Sequence, residues 1–371
     1  MASLTRDDSG ESNSSDRHGT QEIERVGSSA ASLSTLVNSV PPLYKWGAGL
    51  ALIAVVLVAS LAIWGPGMEY PTTISTSQIP TTGGATITLE KTIRQQTGAW
   101  IDSAVGWVTV TGAWLFDSIS TAVTYALKYI EDFLKWVPWP ALVLAMTMLA
   151  FAMGRWALAT FTTIALLYIG FMDLWQNTID TIALMVVAVA VAMAIGLPLG
   201  VWGARSRIAD NLMRPILDGM QTMPSFVYLL PGILFFGLGK PAGIFATIIY
   251  AVPPVIRLTN LGIRQVSPET VEAARSFGAS PMQVLTKVQI PMALPTIMAG
   301  INQTTMMALA MVTIASMVAA GGLGDNVLRA LQKNESGNGA IAGLAIVFLA
   351  IVIDRMTQSA ARSRQQSMGI G

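Results

Sequence analysis

Residues 267–291 read SPETVEAARSFGASPMQVLTKVQIP, a polar stretch set between two apolar runs, 242–256 and 293–320. Ser267, Pro268 and Glu269 are an N-cap, a first-turn proline and a first-turn acid, residue types that suit the unpaired amides and positive end of a starting helix. Gly278 suits the left-handed residue that stops one. Ser280, Pro281 and Gln283 repeat the start as a capping box, and Pro291 is expected to end the second helix before the next apolar run. The spacing predicts helix, glycine turn, helix. Each is too short to hold in water alone, and each carries an apolar strip: Val271, Ala274 and Phe277 on the first, Val284, Leu285 and Val288 on the second. Such strips suit a groove on another protein or the chain's own membrane helices, and periodicity does not separate the two.

Outward from this stretch the chain is poor in charge. Of 371 residues 12% are charged and 53% hydrophobic, where a soluble domain carries about 25% charged residues. Ten of the charges fall in the first 46 residues, which leaves too few to clothe a water-soluble body of the remaining size. The composition excludes soluble, collagen-like and disordered classes and indicates an all-α polytopic membrane protein. A net charge of +1 with no basic patch gives no reason to expect nucleic acid. There is no cysteine, and the single histidine, His18, lies in a polar tail, so thiolate or histidine metal sites and histidine-based catalysis are not expected.

Residues 1–46 are expected to be a disordered cytoplasmic tail, because their Ser, Thr, Asn, Asp and Glu cannot bury enough surface to offset ordering entropy. Residues 47–64 are an apolar run long enough to span. Residues 65–137 are expected outside the membrane: an extended Pro/Thr/Ser/Gly loop to 97, then an amphipathic helix from Trp100 to Val137 lying in the interface. A competing reading makes 105–130 a span containing Asp117. Further spans are expected near 140–154, 156–171, 181–202, 223–239, 242–256, 293–320 and 341–353, which makes about eight. Residues 138–179 would hold two accessory spans, 180–357 the main bundle with its loop at 267–291, and 358–371 a second cytoplasmic tail. With eight spans threaded, Arg205, Arg207, Arg214, Arg257, Arg264, Arg275, Lys287, Arg355, Arg362 and Arg364 share one side, which places both termini in the cytoplasm.

EAARSFGASPMQVLTKVQIP, residues 272–291, resembles the EAA loop of bacterial ABC-importer permeases, with Glu272, Ala273, Ala274 and Gly278 followed by Ile290 and Pro291 at the family's spacing. RPILDGMQTMPSFVYLLPGILFFGLG (214–239), YAVPPVIRLTNLGI (250–263) and PTIMAGINQTTMMALAMVTIASMVAAGGLGDNVLRAL (295–331) are similar to the permease subunit of glycine betaine/proline betaine importers. The resemblance covers about residues 180–357. It implies a five-helix, MetI-like type I ABC importer core working as a homodimer in the bacterial inner membrane. It implies coupling through Glu272, Ala273, Ala274, Gly278, Ile290 and Pro291, docked on cytosolic ATPase subunits. It further implies an extracytoplasmic substrate-binding protein and a betaine-like compatible solute. No G-x-x-x-x-G-K-[ST] motif occurs in the sequence, so the chain is not expected to be an enzyme, and ATP and magnesium belong on the partner ATPase. Choline, proline or another amino acid is the alternative cargo; an ion-gradient transporter or channel is the alternative class.

Polar residues inside apolar runs are the candidates for a translocation path: Asp218, Gln221 and Thr222 before Pro224, and Asn302, Gln303, Thr304 and Thr305 in the seventh run. Hydrogen bonding between helices is the competing role for each, and for Asp218 a surface ion pair near Arg214. Prolines 198, 224, 231, 253, 254 and 295 interrupt the same runs; Pro253 and Pro254 also suit a span end.

Overall fold

The computed structural model describes residues 73–80 and 86–367, with isolated helical residues at 54, 55 and 58; the expected N-terminal tail and the body of the 47–64 span lie outside the described residues. The chain divides after Gly98 into two units. The first holds an antiparallel hairpin, β1 (Thr73–Pro80) against β2 (Thr86–Thr92), in the register Thr76 to Glu90 and Gln78 to Thr88. A loop was expected there. The alternating Thr and Ile of TISTSQIP and TITLEKT favour extended backbone, and Pro80 sits at the strand end, where a missing donor costs no ladder bond.

The rest is helical. In chain order these are α1 (Ile93–Thr111), α2 (Ala113–Trp136), α3 (Trp139–Phe171), α4 (Trp175–Arg205) and α5 (Arg207–Thr222). A 3-10 turn (Ser225–Tyr228) leads into α6 (Leu229–Phe236), then α7 (Lys240–Arg264), α8 (Pro268–Ser276) and α9 (Pro281–Val284). They are followed by α10 (Ile290–Ala315), α11 (Leu323–Lys333) and α12 (Ser336–Ser367), which carries helix through most of the expected C-terminal tail. The expected interfacial helix is two helices with the break at Gly112. α2 does not simply float in an interface: Leu127 is buried in the main core, with Val123 and Ile130 packed beside it.

Helical backbone runs through α3, yet Thr147 Oγ1 lies 2.8 Å from Thr163 Oγ1. Sixteen residues of straight helix would hold them about 24 Å apart, so the chain reverses between them, and Trp139 and Phe171 line one pocket. The two short runs expected at 140–154 and 156–171 are the arms of this hairpin.

Among the described residues four helices are alone long and apolar enough to cross a bilayer: α4, α7, the column Pro281–Val318 and the first 24 residues of α12. Two sharply bent pairs, α2 with Trp139–Met153 at 101° and α5 with Ser225–Phe236 at 110°, raise the count to six if each is one span. The expected 223–239 span is therefore a short 3-10 turn and an eight-residue helix beyond a bend.

α7 is the centre of the bundle, packed between α4 and α10. In lipid no hydrophobic force drives helices together, so close packing through small residues has to do it. At Gly200 of α4 an added Cβ would lie 2.5 Å from the Thr259 Cβ of α7, and at Gly262 of α7 it would lie 2.9 Å from the Thr296 Cβ of α10. Pro253 and Pro254 do not mark a span end: they are buried inside α7, which continues to Arg264. Gly200→Val is expected to lower the thermal midpoint of the purified protein through overpacking of about 1–3 kcal/mol. Gly343→Val, where a Cβ meets nothing within 4 Å, should leave it nearly unchanged.

Candidate functional site: the stub between α7 and α10

Gln265 and Val266 join the end of α7 to α8, and the expected capping chemistry is present. Ser267 Oγ accepts from the Thr270 amide at 3.4 Å, with Pro268 in the first turn and Glu269 beside the unpaired amides. Gly278 has φ +82° and closes the helix, its amide donating to Arg275 O at 2.8 Å while Ala279 N donates to Ala274 O at 3.1 Å. At Ser280 the reciprocal box forms: Gln283 N donates to Ser280 Oγ at 3.3 Å, and Ser280 N to Gln283 Oε1 at 2.8 Å.

Beyond the cap the two halves differ. α8 has no buried residue; Glu272 and Ala273 are exposed, Val271 and Ala274 half-buried, and Phe277 is 91% exposed. The second half buries Val284 and Leu285, with Leu285 packed among Ile263, Ala293 and Ile297 of α7 and α10. Of the first strip Phe277 faces outward while Val271 and Ala274 are half-covered, and the second strip lies on the chain's own helices.

Nor does Pro291 end the second helix. α9 passes through a π-turn, Leu285–Gln289, directly into α10, and the column is helical from Pro281 to Val318. Proline has no amide hydrogen and its ring crowds the carbonyl one turn back; widening that turn, so that Ile290 N bonds to Leu285 O, accommodates it. Ile290 and Pro291 are therefore the first residues of α10, at the base of the site, while Glu272, Ala273, Ala274 and Gly278 form the projecting part.

The end of α7 that carries the stub is fixed by a polar cluster that motif reading missed. Asp210 of α5 is 4% exposed. Its Oδ2 accepts from Arg214 Nη2 at 2.6 Å and lies 3.3 Å from Arg264 Nη2, and its Oδ1 accepts from Asn260 Nδ2 at 2.7 Å. Arg264 also donates to Gly203 O of α4 at 2.7 Å. One carboxylate thus joins α5 to the end of α7, which in turn bonds α4. The Arg214 hydrogen bond holds the Asp210 carboxyl below its ordinary value, opposed by burial and aided by Asn260 and the two guanidinium charges. The Asp210/Arg214 and Asn260/Arg264 spacings of four, which put each pair on one helix face, were the available signal.

The expected pathway residues fall into two separate groups. Asp218 is exposed and paired with Arg257 of α7, not with Arg214, which Asp210 occupies. Gln221 and Thr222 are exposed at the end of α5, where Thr222 Oγ1 donates to Gly219 O at 3.1 Å. On α10, Asn302 Nδ2 donates to Asp354 Oδ1 of α12 at 3.1 Å, Gln303 is exposed, and Thr305 bonds back to Ile301 O. Thr304 is fully buried with its hydroxyl unpartnered. No hydrogen bond or ion pair joins the two groups among the described residues.

A bundle of long apolar helices with a capped stub at one end is the architecture of a multi-pass membrane protein. The family described as binding-protein-dependent transport system inner membrane component matches residues 196–364. The glycine betaine/proline betaine transport system permease protein ProW of Escherichia coli (strain K12) is 44% identical over 264 residues, 71% of this chain and 75% of that one. The glycine betaine/carnitine transport permease protein GbuB of Listeria monocytogenes serotype 1/2a (strain 10403S) is 45% identical over 269 residues, 70% of this chain and 94% of that one. A solved structure of the inward-facing MetNI methionine ABC transporter aligns with TM-score 0.47 at 22% identity, covering 50% of this chain and 93% of that one. The chain belongs to the family of binding-protein-dependent transport system inner membrane components.

Asp210→Asn is expected to lower thermal stability by about 1–3 kcal/mol near neutral pH, because charge-assisted bonds are lost. A carboxylate with a depressed folded pKa stabilises above its unfolded value, about 3.9, and that contribution fades as pH falls through the folded one. The gap between wild type and variant should therefore be constant from pH 6 to 8 and close below about pH 4.

Proposed function

We propose that this chain is the permease subunit of an ATP-driven importer for glycine betaine or related compatible solutes, with α8 as the element through which a separate ATPase moves the bundle. The observation that carries this reading is the exposure of α8 and above all of Phe277, 91% open at the end of a capped helix. Burying that ring on a partner would contribute roughly 1.5–3 kcal/mol. Glu272 and Ala273 supply the surface beside it. Gly278 sets the angle at which the stub leaves the bundle, because φ +82° strains any residue with a Cβ.

In this reading ATP and magnesium bind on the cytosolic ATPase subunits. α8 and both termini lie on the cytoplasmic side, as the clustering of arginines supports. A second copy completes the pathway, and an extracytoplasmic binding protein delivers the solute. The cargo rests on the names of the relatives; choline, proline or another amino acid is the alternative. Movement of the docked stub passes to α7 on one side and to the Pro281–Val318 column on the other, since both are continuous helix up to the stub. The Asp210 cluster makes the end of α7 turn with α5 and α4 and keeps it from fraying.

The test is reconstitution in vesicles with the cognate ATPase and binding protein, scoring accumulation of radiolabelled glycine betaine, choline and proline. ATP-dependent accumulation of glycine betaine is expected, and accumulation that persists without the ATPase would overturn the assignment. Gly278→Val is expected to cost uptake at least tenfold with unchanged protein in the membrane. Glu272→Lys and Phe277→Ala should each reduce recovery of the ATPase with the purified permease; full recovery in both would count against the docking role of α8.

A further inference from the structure

At the end of α7 remote from the stub, about 37 Å away along a 25-residue helix, stands a second charged cluster. Lys240, the first residue of α7, donates to Glu131 Oε1 of α2 at 2.6 Å and lies 3.6 Å from Asp180 Oδ1 of α4. Lys135 of α2 completes the set, 3.8 Å from Asp180 and 3.9 Å from Glu131. Two acids and two lysines alternate, and three helices meet. α2 and Asp180 both lie before the residues that the family matches, 196–364.

The neighbouring backbone turns on glycines, which adopt positive φ without strain. The corner between α6 and α7 contains Gly237 and Gly239, both at positive φ, with Gly239 N bonded to Val318 O at 2.8 Å. The segment after Val318 has Gly321 and Gly322 at positive φ as well; its far side is tied to α4 by Leu323 N donating to Thr181 Oγ1 at 2.8 Å. α2 also reaches the other side of the corner, where Phe116 stacks on Phe235 with ring centres 4.8 Å apart.

The contacts of α2 are of two physical kinds. Along its middle, Val123, Leu127 and Ile130 pack in the core cluster with residues of α4, a seam that separates only with loss of close packing. At its end the contact to α7 is ionic and partly exposed, from 12% at Glu131 to 41% at Lys135, with Asp180 Oδ1 itself buried. Ion pairs shared among partly exposed groups exchange partners for water more readily than a packed apolar seam separates. Such a contact can open and reform within a cycle.

We propose that α2 is a working part of the transport cycle, with Glu131, Asp180 and Lys240 as positioning residues of a latch that holds the glycine-hinged corner of α7 in one state and releases it in the other. The Asp210 cluster keeps the far end of α7 with α4 and α5, so the movement released at the latch is that of the Lys240 end. This rests on the transport reading above. Uptake by the wild-type complex in vesicles is measured first, and its absence counts against that reading rather than against the latch.

The chain has no cysteine, so Glu131→Cys with Lys240→Cys introduces the sole thiol pair in the permease. Joining the two with a short bis-maleimide in the assembled complex is expected to lower uptake at least tenfold below that of the same double variant left unjoined, while the reagent leaves the uptake of each single cysteine variant unchanged. Full uptake by the joined protein would overturn the latch. In parallel, Glu131→Gln and Lys240→Met are expected each to lower solute moved per ATP hydrolysed about three- to tenfold, with the KM for solute changed less than twofold. The double variant should be no worse than either single one, as for two groups acting through one contact. Additive losses, or ratios equal to the wild type, would overturn the proposal. Lys240→Arg, which keeps the charge, should restore at least half of the ratio.

Discussion

Close backbone approach on two sides of α7 is the constraint on which the other features depend. Helices in lipid gain nothing from hiding apolar surface from one another, so a helix is rigidly held only where its backbone is approached closely. α7 is approached from both sides, by α4 at Gly200 and by α10 through its own Gly262. Both ends are then fixed by charge, at Asp210 and at Glu131. A rod packed along its length carries displacement as a body from one end to the other.

The local features of the site were legible because they are local. Ser267, Pro268, Glu269 and Gly278, and the box of Ser280 and Gln283, act on backbone groups within four residues, so residue type and spacing are enough to place them. The reversal within α3 was legible for the same reason, as two short apolar runs. What could not be read was every feature joining distant segments. Asp210 and Asn260 are fifty residues apart, Glu131 and Lys240 more than a hundred, and neither spacing nor composition says that a carboxylate and an amine will meet. Nor did periodicity tell which strip of residues 267–291 was covered: Val284 and Leu285 lie on the chain's own core and Phe277 does not, though all three read as apolar positions on short helices.

The polar residues of the apolar runs show the same limit. Asp218 and Asn302 are equally unexpected in hydrophobic surroundings, yet one pairs with Arg257 on a surface and the other donates to Asp354 between two helices while its Oδ1 stays buried without a partner. Polarity in a span states that a partner is needed and leaves its identity to the tertiary arrangement. Among the described residues most ion pairs lie near the two ends of α7.

The π-turn before Pro291 has a bearing on how this stretch is aligned with its counterparts. A residue inserted in a helix advances the azimuth by about 100°, so positions before Leu285 and after Gln289 follow two different phase wheels. A wheel drawn continuously from Ser280 into α10 would assign Ala293, Ile297 and Gly300 to the wrong side of the column. A homologue lacking that extra residue would present Asn302 and Thr304 to different neighbours even if every letter of the span were unchanged.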